Sequence, residues 1–137
     1  MKISLILLAL TIPAMAQTTA PKPVDWTQLN PAVMQLAMEG VDAVDQAAEA
    51  INDMSITYSE REDEAEEIFQ KLRHTVHSDA DKRVLDVASS YYSQVASCHV
   101  TYVARTCSVA SLSSARDKAM EALKHGQKEY SASKKSK

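Results

Sequence analysis

The stretch "NPAVMQLAMEGVDAVDQAAEAI", residues 30–51, decides the fold. Asn30 followed by Pro31 is a helix start: the asparagine side chain caps the first free N–H groups, and proline suits the first helical position, where it has no N–H to leave unbonded. Leu29 and Met34 are spaced to close a hydrophobic staple across that start. From there Met34, Ala37, Val41, Val44, Ala48 and Ile51 recur at alternating steps of three and four. That spacing draws an apolar seam along one side of an α-helix, as in coiled coils and bundles.

Beyond Pro31 the chain has no proline, and its only glycines are Gly40 and Gly126. Such a chain has little material for tight turns, so the expectation is all-α throughout. "SITYS" (55–59) is rich in serine and β-branched residues, and Ser59 with Glu62 has the pattern of a capping box. A break at 55–59 and a second helix over about 60–77 are expected. The seam phase also runs on through Tyr58, Ala65, Phe69, Leu72 and Val76, which would permit one long helix instead. "HSDAD" (77–81) offers Ser78 as a cap with Asp81 three residues on, ahead of a third helix carrying Val84, Leu85, Ala88, Tyr91, Tyr92, Val95, Ala96 and His99 toward one side. Ser108, Ser111, Ser113 and Ser114 provide N-caps for a fourth, with Leu112, Ala115, Ala119, Leu123 and Tyr130 on one face. Helices of this length with short connections predict an antiparallel bundle of about four helices, or three if the first two fuse.

Both cysteines lie in "CHVTYVARTC", residues 98–107. On one continuous helix their Cα atoms would stand about 13.5 Å apart, whereas a disulfide needs less than about 7 Å. The third helix is therefore expected to end inside this loop, with Cys98 and Cys107 bridged. Closing a loop of that size contributes about 2.7 kcal/mol on the chain-entropy estimate. The contribution matters, because from residue 17 onward the chain has seventeen alanines but a single Phe and a single Trp, and small side chains bury little apolar area each.

The N-terminal "MKISLILLALTIPAMA" has a lysine, an apolar run over 3–12 and the small-residue end Ala14-Met15-Ala16. This is the layout of a secretory signal cleaved after Ala16, and the run is too short for a membrane span. The domain reading is thus signal peptide 1–16, extended leader 17–29 held by Trp26, helical bundle 30–130, and a disordered basic tail 131–137. The expected location is the periplasm or the extracellular space, where oxidising conditions favour the bridge. No later run is long enough for a transmembrane anchor.

Charge divides the chain. Residues 25–67 hold twelve acids and one base, net −11, and residues 68–137 hold six acids and twelve bases, net +6. Two acidic groups are candidates for a partner-binding surface: the stripe Asp42, Asp45 and Glu49 beside the seam, and the run Glu60, Glu62, Asp63, Glu64, Glu66 and Glu67. Neither has the pattern of a catalytic carboxylate pair. The chain also lacks a nucleophile elbow, a glycine-rich phosphate loop, a zinc-protease helix motif and a haem attachment site. The expectation is a non-enzyme without a cofactor. Lys134, Lys135 and Lys137 lack the aromatic interleaving of a nucleic-acid site.

The leading functional expectation is an exported helical protein that binds another protein through a helix face, as an accessory factor, inhibitor or chaperone-like partner. Homo-oligomerisation stays open. Two alternatives stand beside it. His74 and His77, one turn apart, with Asp79 and, if the fold brings it close, His99, could share a transition-metal ion. An alanine-rich core could also leave room for a small apolar ligand between helices. Met34 and Met38, one turn apart, read as core filler.

Overall fold

The computed structural model describes residues 22–54 and 56–136. The signal peptide expected over 1–16, leader residues 17–21, Ser55 and Lys137 lie outside the described residues. The chain forms α1 (Pro31–Asn52), α2 (Tyr58–Thr75), α3 (Asp79–Val100), a single turn α4 (Ala104–Cys107) and α5 (Val109–Lys135), with no strand among the described residues. A 3-10 turn, Trp26–Gln28, precedes α1.

The local signals act as their chemistry dictates. Asn30 caps α1, its side chain accepting the Ala32 N–H, and Leu29 and Met34 are both buried. Ser78 and Asp81 form the complete capping box at the start of α3. Ser108 caps α5 through the Ser111 N–H.

A break does separate α1 from α2, at residues 53–57 rather than 55–59, and the fused-helix alternative is not what forms. Several boundaries differ from the sequence reading. The second helix, expected over 60–77, runs over Tyr58–Thr75, so Ser59 lies inside it rather than at its cap. Burial of Tyr58 explains the earlier start: the ring is 5 % exposed and belongs to the core. The leader is not extended throughout, because Asp25 accepts the Thr27 N–H and caps the 3-10 turn. The tail read as disordered is helical as far as Lys135. Two terms favour that continuation. Lys134 sets its ammonium 5.1 Å from the centre of the Tyr130 ring, and lysines in a last turn suit the negative end of the helix dipole.

Packing centres on α1, which touches α2, α3 and α5, while α2 and α5 do not meet. The reason is α1's small side chains: Ala37, Gly40, Val41, Val44, Ala47 and Ala48 are all buried and let neighbouring backbones approach. At Gly40 a Cβ would stand 2.9 Å from Cε2 of Phe69, so the ring packs directly on the α1 backbone. Between α2 and α3 the contact is made by long side chains instead. Phe69 stacks on Tyr92 at 4.8 Å, Tyr92 donates to Glu66 at 2.9 Å, and Tyr58 stacks on His99 at 3.8 Å.

The short connections make the helices antiparallel, which gives the bundle two distinct ends. One end gathers the starts of α1 and α3 with the middle of the second half of α5. Here Trp26 covers Gly126, where a Cβ would meet two ring atoms at 2.9 Å. The other end gathers the α1–α2 connection, the end of α3, α4 and the start of α5. Cys98 and Cys107 are bridged at this second end with Cα atoms 5.5 Å apart, so the helix does break between them.

Candidate interaction groove

The acidic stripe expected on α1 is split by the fold. Asp45 turns inward: it accepts the Tyr91 hydroxyl at 3.1 Å and pairs with Arg116 Nε at 3.1 Å. Burial, followed by the Asp45 and Glu49 charges, raises the Tyr91 phenol above its ordinary pKa, so it stays a donor. Glu49 lines a cleft against Val109 and Arg116 of α5. Asp45 thus ties α3 and α5 to α1 through Tyr91 and Arg116.

Asp42, one turn earlier, stays outside. It is 60 % exposed and reaches the same guanidinium only at 3.5 Å. With Glu39 it forms a ridge between two grooves. On one side, toward α2, a groove of about 420 Å³ is lined by Glu39, Asp42, Glu64 and Glu67 over Ala43 and Ile68, with Lys71 tied to Glu67 at 2.9 Å. On the other side, toward α5, a cavity of about 450 Å³ has Leu29, Met34, Met38 and Tyr130 as its apolar surface, with Glu39 and Asp42 on the rim and Gln35, Gln127 and Ser131 around it.

The second cavity exists because of periodicity. Pro31, Met34 and Gln35, Met38 and Glu39, and Asp42 are successive turns of one α1 stripe, so its methionines and carboxylates lie side by side. Leu29 and Met34 are buried, whereas Met38 and Tyr130 are half-buried and remain open to the cavity. Methionine adapts its shape to what it meets. The Glu39 carboxylate takes the Gln35 amide at 2.9 Å.

The acidic run on α2 divides in the same manner. Glu66 points to α3, where burial alone would raise its pKa, but the Tyr92 hydrogen bond and the Arg73 charge outweigh burial and lower it. Glu62 lies against Tyr58, whose phenol is pushed up to about 12 by burial first and by Glu62 second. Glu60, Asp63, Glu64 and Glu67 face solvent. Of the acids singled out in the sequence, Asp42, Glu64 and Glu67 converge on the grooves; Met38 and Tyr130, expected in the core, line one of them, and Glu39 joins unannounced.

The metal alternative is not assembled. His74, His77 and Asp79 sit exposed at one end of the bundle, and His99 is at the other, stacked on Tyr58. Among the described residues no three His, Cys, Asp or Glu side chains are placed to hold a metal ion. No described helix is long and apolar enough to cross a membrane. No protein-family model, no curated protein and no solved structure matches this chain.

Proposed function

We propose that this is an exported helical protein that works by binding another protein, and that the cavity between α1 and α5 receives a basic amphipathic helix of the partner. The carrying observation is the combination in one cavity of an apolar surface, Leu29, Met34, Met38 and Tyr130, with a carboxylate rim, Glu39 and Asp42. A helix laid in a groove needs this pairing: apolar side chains at turn spacing enter the floor, and charges beside them select the partner and speed the encounter. Carboxylates select lysine and arginine. A volume of about 450 Å³ accommodates two or three such anchors. The Cys98–Cys107 bridge supports export, because such a bridge persists in an oxidising compartment.

The test uses synthetic peptides and fluorescence anisotropy. A leucine–lysine amphipathic helix should bind the wild type, weaken with salt, and bind at least about tenfold less well to Glu39→Lys and to Met38→Lys. Equal binding to wild type and Glu39→Lys, or a preference for a leucine–glutamate helix, refutes the assignment. Glu39 is exposed and, among the described residues, hydrogen-bonded to Gln35 alone, so its substitution leaves the fold intact.

A further inference from the structure

Six large apolar side chains are exposed among the described residues: Met54, Ile56, Val100, Tyr102, Val103 and Val109. All six belong to one end of the bundle. Three contacts establish this. Tyr58 stacks on His99, which joins the α1–α2 connection to the end of α3. The disulfide joins the end of α3 to α4. Asn52 and Val109 line one cleft, which joins the end of α1 to the start of α5. The side chains protrude: Met54 is 92 % exposed, Ile56 97 % and Val100 83 %. A monomer rarely leaves this much apolar surface gathered in one place without a use for it.

We infer that this end docks into the surface of a zwitterionic lipid bilayer. A protruding apolar knob fits a medium that yields around it better than a preformed protein pocket. Tyr102 is half-exposed and amphipathic, the kind of ring that settles at the headgroup level. The charges agree. The described residues of the two protruding segments, 53–54 with 56–57 and 100–106, hold one carboxylate, Asp53, and one guanidinium, Arg105, so they are net neutral and match a headgroup layer that presents both signs. The flanks on α1 and α2 are acidic and disfavour an anionic surface. The bridge between the buried Cys98 and Cys107 holds the second segment in shape before contact, so docking pays little ordering entropy.

The experiment is co-sedimentation of the oxidised protein with phosphatidylcholine vesicles. Wild type should partition onto them, and Ile56→Asp/Val100→Asp should lose on the order of a hundredfold in partition coefficient, with helicity and disulfide unchanged because both side chains stand clear of the core. A Tyr102→Trp variant should be quenched by brominated phosphatidylcholine, while the native Trp26, at the opposite end, should not be. Wild type left in the supernatant, equal partition of the double aspartate variant, or binding only to anionic vesicles overturns the inference. So does a concentration-dependent dimer in sedimentation that the aspartate variant abolishes, which would make a second copy the occupant.

Discussion

Asn30 donates its backbone N–H to Oδ1 of Asp81 at 2.8 Å, a contact spanning fifty-one positions of sequence. Oδ2 of the same carboxylate accepts the N–H groups of His77 and Ser78 at 3.1 and 3.2 Å. The residue is 2 % exposed, so these partners replace water. One side chain thus closes its own helix start and ties it to the start of α1.

Asp81→Ala leaves three partly buried N–H donors without their acceptor. Hydrogen bonds to a charged group are worth roughly 1.5–3 kcal/mol each and are not additive, so a loss of about 3 kcal/mol or more is expected. Asp81→Asn keeps one acceptor but turns an amide NH₂ toward the other donors, and should lose about half as much. Urea unfolding of the two variants checks the order.

Gly40→Ala and Gly126→Ala should differ in sign although both sit in helices. Each gains about 1 kcal/mol of helix propensity. At Gly40 the new methyl meets the fully buried ring of Phe69 at 2.9 Å, which has nowhere to go, and overpacking costs about 1–3 kcal/mol. A net loss is expected. At Gly126 the obstacle is the edge of Trp26, half-buried on a short turn that can shift. That variant should be neutral or stabilised, with red-shifted tryptophan emission reporting the displaced ring.

Reduction of the disulfide, or Cys98→Ser/Cys107→Ser, should lower stability by about 2.7 kcal/mol through the unfolded chain's regained freedom. The end of α3 and the start of α5 should stay helical, because Thr101 and Ser108 cap them independently of sulfur. Thermal melts followed by circular dichroism, with and without reductant, give both readings.

Stability should fall in alkali. Tyr58 is raised to about 12, and Tyr91 and Tyr92 are raised further, burial being the first cause in each and a neighbouring carboxylate the second. Below pH about 10 both folded and unfolded chains hold these protons, and the contribution is complete. Above it the unfolded chain ionises first and binds fewer protons, so unfolding becomes easier as pH rises through the folded values. Glu66 acts oppositely: its lowered pKa contributes stability above about pH 4.3 that is lost as pH falls through its folded value. Urea midpoints across this range test both limbs, and Tyr91→Phe/Tyr92→Phe should flatten the alkaline one.

The seam on α1 was readable because a repeat of three and four residues needs no knowledge of any other helix. The same holds for the caps at Asn30 and Ser78, while at the start of α5 the sequence offered four serines of which Ser108 is the cap; for the disulfide, helix rise showed that a bridge requires a break. What could not be read depends on which helices meet and at what height. Asp42 and Asp45 look equivalent in sequence, yet Arg116 and Tyr91 draw only Asp45 inside. Tyr130 was placed on the inner face of its helix, but its position opposite Met38 follows from the register of α5 against α1. The helical tail was missed because Lys134 has to be seen lying over Tyr130 before it counts as support.

The off-centre placement of α2 has a dynamic consequence. It rests on α1 and, through aromatic side chains, on α3, and never touches α5, whereas α3 and α5 pack on each other, share α1 between them and are linked through α4, which the disulfide ties to α3. Detaching α2 breaks its packing on α1 and α3 and leaves α1, α3 and α5 in contact with one another, so it is a partial opening that keeps a packed three-helix unit. Backbone amides of α2 should therefore exchange with deuterium ahead of those in α1, and proteases should find the chain first at its two flanking connections.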